Sequence, residues 1–245
     1  MSTTSLSPRF SPLYQQIKGL LTSSLKEGTW RPGELIPSEV ELSRRFNVSQ
    51  GTVRKAIDEL AAENLLVRRQ GRGTYVATHH EVKAQFRFLR LRPNEPESSL
   101  SPKSRLIDCK RQRAPAEVSR HLGLKSAEAC LLVRRILEFG GRPEVLDEIW
   151  LSAQSFKGLT AERVEQFNGP LYGLFESEFG IRMIRADERI SAQKIAESEA
   201  ALLQMTQGDA VLVVDRVSYT YEGSAVEFRR GYYRTQSFHY FNELI

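Results

Sequence analysis

The chain has 245 residues, 40% hydrophobic and 27% charged, with a formal net charge of +5. That balance excludes a disordered or fibrous chain, the length favours two domains of about 100–200 residues each, and no run approaches the roughly 18 apolar residues needed to span a bilayer. The basic excess is local: residues 1–80 hold eleven Lys/Arg against seven Asp/Glu, whereas residues 81–245 hold twenty-four against twenty-three. A localised positive field is the footprint of a polyanion-binding domain, because neutralising phosphates releases condensed counterions.

The Ser/Thr-rich start, Met1 to Arg9, lacks the apolar centre of a signal peptide, so the expected location is the cytoplasm. Pro12 then opens a first helix on which Leu13, Ile17, Leu20, Leu21 and Leu25 recur at helical spacing, and Gly28 ends it. Pro32-Gly33 makes a turn leading to Leu35-Ile36-Pro37. Ser38-Glu39-Val40-Glu41 is a capping box that predicts a short second helix, about Glu39 to Phe46. Asn47-Val48-Ser49 breaks the pattern, and a third helix follows with Ser49 as its cap and Val53, Ile57 and Leu60 on its buried face. Two short helices joined by a tight turn form a helix-turn-helix. Two β-prone runs around Gly71-Arg72-Gly73 predict a hairpin directly behind it, which makes a basic, glycine-bearing wing.

The chain turns polar near His79, and Pro93 to Ser99 is its least structured part. The division expected is a DNA-binding domain over residues 10–78, a linker over 79–84 and a second domain over 85–245. Phe86, Phe88, Leu89 and Leu91 look like a strand. Strand-like runs follow at Ser104 to Arg111, Cys130 to Glu138, Asp147 to Leu151, Ala210 to Tyr221 and Ala225 to Arg234. They alternate with helical segments at Ala116 to Leu122, Leu159 to Glu165, Pro170 to Phe179 and Lys194 to Leu203. Gly140-Gly141 and Glu222-Gly223 read as hairpin turns, so the class is α+β with a largely antiparallel sheet. Cys109 and Cys130 lie outside any CxxC or Cys/His grouping, and the four histidines are scattered, so no metal, disulfide or cofactor is expected.

The third helix is the candidate reader. Its N-terminal stretch, Ser49, Gln50, Gly51 and Thr52, would face the major groove, with Arg54 and Lys55 within the next turn. Free amides and the Ser49 and Thr52 hydroxyls attract a phosphate. Gln50 can pair with adenine and Arg54 with guanine, although Arg54 could equally hold phosphate and Ser49 could simply cap the helix. Arg44 and Arg45 on the second helix read first as plain solvated charges. Ser38 and Arg44 complete the set on the helices, and Gln70, Gly71, Arg72 and Gly73 form the wing's contact with phosphate or the minor groove.

Tyr14-Gln15-Gln16-Ile17, Pro32-Gly33-Glu34-Leu35-Ile36-Pro37-Ser38-Glu39, Phe46-Asn47-Val48-Ser49, Thr52-Val53-Arg54-Lys55-Ala56 and Gln70-Gly71-Arg72-Gly73-Thr74-Tyr75-Val76 together closely resemble the GntR family of bacterial repressors. Val40 departs from that pattern, since several members carry a DNA-contacting arginine there. The later part resembles the UTRA effector-binding domain of the HutC subfamily through Val133-Arg134-Arg135-Ile136, Gly141-Arg142-Pro143, Asp147-Glu148-Ile149-Trp150, Pro170-Leu171-Tyr172, Gly180-Ile181 and Val226 to Arg234. The resemblance implies a chorismate-lyase-like fold without lyase activity, a homodimer, and double-stranded operator DNA and a small anionic metabolite as partners. Matched motif to motif, Arg135, Asp147, Tyr172, Glu227 and Tyr233 fall where relatives contact their ligand. Leu137 and Pro170 replace an arginine and a serine that hold phosphate in sugar-phosphate-binding members, and Phe86 to Arg90 lacks those members' Ser/Thr pair.

A residue-level reading of these strands leaves two options: an arginine set among acidic groups and tyrosines binds a polar anionic metabolite, or the same residues are salt-bridged neighbours on a sheet. For the whole chain, the alternatives to an effector-controlled regulator, expected to act as a repressor, are an architectural DNA-binding protein and a lyase-like enzyme. No nucleophile–base pair, metal spacing or phosphate loop supports the enzyme.

Overall fold

The computed structural model describes residues 11–79, 89–95, 102–125 and 128–242. The chain divides into two compact units, Met1–Thr78 and His79–Ile245.

The first unit is three helices and a hairpin. Helix α1 (Leu13–Lys26) buries Ile17, Leu21 and Leu25, whereas Leu13 and Leu20 stay exposed, so its apolar stripe is narrower than the spacing suggests. Helix α2 (Glu39–Phe46) starts in the expected capping box: the Glu41 amide donates to the Ser38 hydroxyl at 3.3 Å, and the Ser38 amide donates to the Glu41 carboxylate at 2.8 Å. Asn47 ends it in the left-handed region, at φ 53°. Helix α3 (Gln50–Ala62) follows at once and buries Val53, Ala56, Ile57 and Leu60 against the other two. Val53, Ile57 and Leu60 each contribute about 1.5–3 kcal/mol on leaving water. Strands β1 (Leu66–Arg69) and β2 (Gly73–Val76) pair as the hairpin, and Leu35 bridges to Tyr75 on its other side.

In the second unit a six-stranded antiparallel sheet runs in the order β4 (Lys103–Arg113), β5 (Ala129–Phe139), β6 (Arg142–Ser152), β9 (Ala225–Tyr233), β8 (Ala210–Tyr219), β7 (Arg185–Lys194). Side chains alternate between its faces. One face packs Val118 and Leu122 of α4 (Ala116–Leu122) and Ala200 and Leu203 of α7 (Glu197–Leu203) against Leu132, Ile136, Leu146, Trp150 and Phe228. The other face is covered by α5 (Ala161–Gln166) and α6 (Leu171–Phe179), with Leu174 and Phe175 over Val133, Ile149 and Leu151. A small second sheet pairs β3 (Leu91–Pro93) with β10 (Phe238–Tyr240).

Several expectations need correction. Strand β7 was not foreseen: it is an edge strand, exposed along most of its length and rich in charge, so it lacks the alternation that marks a half-buried strand. Its last residue, Lys194, was expected to start a helix, but α7 begins only at Glu197. The helix expected from Leu159 begins at Ala161, because the Thr160 hydroxyl accepts from the Arg163 amide and caps it there. His79, expected in a linker, is 4% exposed; its amide donates to Glu176 at 2.9 Å and its ring lies 3.0 Å from the Met183 carbonyl. Residues 80–84 of that linker, and Phe86 and Phe88 of the strand expected beside it, lie outside the described residues. Cys130 is buried and Cys109 half-buried, and both are free thiols whose pKa burial pushes up.

Gly231 decides how closely the covered face packs. It sits opposite Asp147 on β6, and a Cβ there would run into the Tyr233 ring and lie 3.2 Å from Asp147 Oδ1. Gly231→Ala should therefore push the tyrosine off its site and destabilise the unit by about 1–3 kcal/mol, the usual cost of overpacking. Urea unfolding of the two chains checks this, and an unchanged midpoint refutes it.

Candidate functional site

Of the residues expected to face DNA, Ser38, Arg44, Ser49, Gln50, Gly51, Arg54, Lys55, Gln70, Gly71, Arg72 and Gly73 are exposed, and Thr52 is half-buried. The Ser49 hydroxyl accepts from the Thr52 amide at 3.1 Å and lies 2.8 Å from the Thr52 hydroxyl, so both side chains serve the start of α3 in the free protein. Ser38, Gln50, Arg72 and Gly73 line one groove between α2, α3 and the hairpin. Lys55 is drawn towards α1 instead, with its ammonium 3.9 Å from the centre of the Tyr14 ring. Gly71 (φ 69°) and Gly73 (φ 99°) supply the left-handed conformations of the hairpin tip. At Gly73 a Cβ would also meet Leu35 at 2.7 Å, so glycine there keeps the tip against its neighbouring segment.

Sequence reasoning missed Glu39. Its carboxylate accepts from Arg54 Nε at 2.9 Å, from Arg68 Nη1 at 2.9 Å and from Gln50 Nε2 at 3.3 Å. Partial burial opposes its charge, but the bonds from Arg68, Arg54 and Gln50 outweigh that and hold its pKa below the ordinary carboxylate value.

The covered face of the second unit holds a cavity of about 690 Å³ between the sheet and the segment that leads into α6. Arg135, Tyr172 and Tyr233 line it as expected. Asp147 and Glu227 stand behind its wall and are essentially sealed, at 1% and 0% exposure. Arg135 Nε donates to Asp147 Oδ2 at 3.0 Å, and Arg229 Nη1 reaches the same oxygen at 3.2 Å. Arg229 also grips Glu227 through both oxygens, at 3.2 and 3.1 Å, and the Tyr172 hydroxyl donates to Glu227 at 2.7 Å. The two acids thus orient the two arginines and Tyr172 rather than fronting the cavity.

Arg229 and Arg216, neither of which the sequence reading singled out, also line the cavity. Arg216 is 2% exposed and donates to Glu188 at 2.6 Å, and Tyr240 shares that carboxylate. Arg229 alternates along its strand with Glu227 and Tyr233, and Arg216 with Val214 and Ser218, so a positional signal in the sequence is an arginine in phase with the residues that face the cavity. Burial pushes the Tyr233 hydroxyl up to about 12 and raises Tyr172 as well, so both are neutral donors. Desolvation lowers the Arg135 pKa despite Asp147 beside it, yet a guanidinium stays charged. Leu137 and Pro170, the two departures from the phosphate-binding pattern, both lie on the cavity wall.

Comparison with known proteins follows the same division. Residues 13–76 match the bacterial regulatory proteins of the gntR family, and residues 97–239 match the UTRA domain. The chain belongs to the GntR regulators that carry a UTRA domain. The transcriptional repressor NagR of Bacillus subtilis is 27% identical over 237 residues, which span 95% of this chain and 96% of NagR. The ligand-binding domain of a regulator assigned to the GntR family in Bordetella bronchiseptica is 45% identical with a TM-score of 0.64, covering 65% of this chain and 98% of that one. PhnF of Mycobacterium smegmatis is 27% identical with a TM-score of 0.53, covering 94% and 99%. This GntR regulator thus has its reading head in the first unit and its UTRA domain in the second, and its relatives are transcriptional regulators rather than enzymes. Among the described residues no helix is long and apolar enough to cross a membrane.

Proposed function

We propose that the regulator is a cytoplasmic, homodimeric repressor that binds a two-fold-symmetric operator, and that a small anionic metabolite in the UTRA cavity lowers its affinity for DNA. The observation that carries the effector half is the convergence of Arg135, Arg216 and Arg229 on one cavity wall with Tyr172 and Tyr233. Three guanidiniums and two neutral hydroxyls suit a ligand with one anionic group and several hydroxyls. The apolar Leu137 and Pro170 take the place of two phosphate partners, which favours a carboxylate or a compact phosphate over a sugar phosphate. Dimer symmetry mirrored in the operator accounts for two reading heads per site.

Linkage supplies the test. A coupling of about 1–3 kcal/mol changes operator affinity some 5–150-fold, and DNA must weaken the metabolite by the same factor. A thermal-shift screen with inorganic phosphate, short carboxylates, hydroxy acids and sugar phosphates should find compounds that stabilise the wild-type chain and do so far less in Arg135→Ala. Operator titration with each hit should then show weaker binding. Equal stabilisation of both chains removes Arg135 from the site, and hits that leave DNA binding untouched overturn the sensor reading. Light scattering of the full chain tests the dimer.

A further inference from the structure

Glu39 places a negative charge where it should be unfavourable. A surface that meets a polyanion gains affinity from each cation and loses it to each carboxylate nearby. Its place in the first turn of α2 suits an acidic residue, but Glu41 already completes the capping box. The Glu39 side chain turns instead towards α3 and β1, where it is 13% exposed and gathers Arg54, Gln50 and Arg68. Asp58 holds the other side of Arg68 through bonds of 3.1 and 2.7 Å, so Arg68 is fixed between two acids and acts as a strut.

The bond to Arg54 runs through Nε, and the two Nη groups make no hydrogen bond among the described residues. A guanidinium is planar, so anchoring Nε sets the plane of the whole fork and leaves the distal pair of donors to face outward. That pair fits the two acceptors on the major-groove edge of guanine. Gln50, with one amide hydrogen engaged on Glu39, keeps its carbonyl and its second hydrogen. Those two groups are the ones a glutamine uses on adenine. A side chain ordered before DNA arrives loses less conformational freedom on binding.

We propose that Glu39 is a positioning residue that sets operator specificity, pre-orienting Arg54 and Gln50 for base contact at the expense of general attraction to phosphate. The inference rests on the proposed reading role of α3 and adds the element that aims it.

The test uses the full chain and a duplex that the wild-type chain selects from a randomised pool, compared at one fixed salt concentration with a random duplex of equal length. Glu39→Gln removes the charge but keeps the shape. It should weaken the selected duplex about tenfold while random-duplex binding is unchanged or stronger. Glu39→Asp keeps the charge but falls short by one methylene, and should lose discrimination without any gain on random DNA. A parallel loss on both duplexes together with a lower melting temperature would make Glu39 a structural tie and overturn the proposal, as would intact discrimination in both variants. Arg54→Ala serves as the control. If it too leaves discrimination intact, the reading role of α3 fails and takes the proposal with it; if it alone loses discrimination, only the part assigned to Glu39 falls.

Discussion

Arg229→Ala should cost about 3–5 kcal/mol of stability, the penalty for leaving a buried charge without its partner. Arg229 is 8% exposed and contributes three of the bonds that hold Glu227 and Asp147. Without it Asp147 keeps Arg135, but among the described residues Glu227 retains only the hydroxyls of Tyr172 and Ser218. Removing the charge on both sides should restore much of the loss, so Arg229→Met combined with Glu227→Gln is expected to be more stable than Arg229→Ala alone. Chemical denaturation of the wild type and the two variants at pH 7 decides the matter. A drop below about 1 kcal/mol for Arg229→Ala would show that water reaches the cluster. The pH dependence of the wild type carries the matching sign. Burial would raise the Asp147 pKa, but Arg229 and Arg135 outweigh it and hold it below the usual value. Its contribution is therefore complete above the unfolded-state pKa, near 4, and is lost as pH falls through the lower folded-state value.

Arg54→Ala should reduce affinity for the operator by about 1–3 kcal/mol, a 5–150-fold loss, if the exposed Nη pair reads guanine. Random DNA should bind almost as before. The competing outcome is equally definite: an Arg54 that holds phosphate would weaken both duplexes alike and flatten the slope of log affinity against log salt by about one. Fluorescence anisotropy on both duplexes at several salt concentrations separates the two. Unchanged operator affinity removes Arg54 from the interface altogether.

The reading head was legible because short-range chemistry builds it. The capping box at Ser38 and Glu41, the cap at Ser49 and the glycines of the wing each act within a few residues, so spacing reveals them. Glu39 was not legible, because its partners lie 11, 15 and 29 residues away and only the packing of α2, α3 and β1 joins them. The same contrast holds in the UTRA domain. Hairpin turns at Gly140-Gly141 and near Gly223 were marked by residues that tolerate positive φ, whereas β7 was hidden by the charges that protect a sheet edge. Motif matching located Arg135, Tyr172 and Tyr233 on the cavity. It could not show that Asp147 and Glu227 sit one layer deeper, since that depends on which strand neighbour each acid meets across the sheet.

The pairing of β3 with β10 fastens the strand just ahead of the UTRA match to the strand at its end. Asn94 donates to the Ser237 carbonyl at 3.0 Å and Phe241 to the Arg90 carbonyl at 2.8 Å, while Arg92 stacks on the Phe241 ring at 3.7 Å. A domain whose entry and exit are fastened side by side can be cut out, transplanted or inserted at a single surface position without stretching its fold. Such a cassette can be exchanged behind an unchanged reading head, so a lineage can rewire which metabolite commands an operator without redesigning either module.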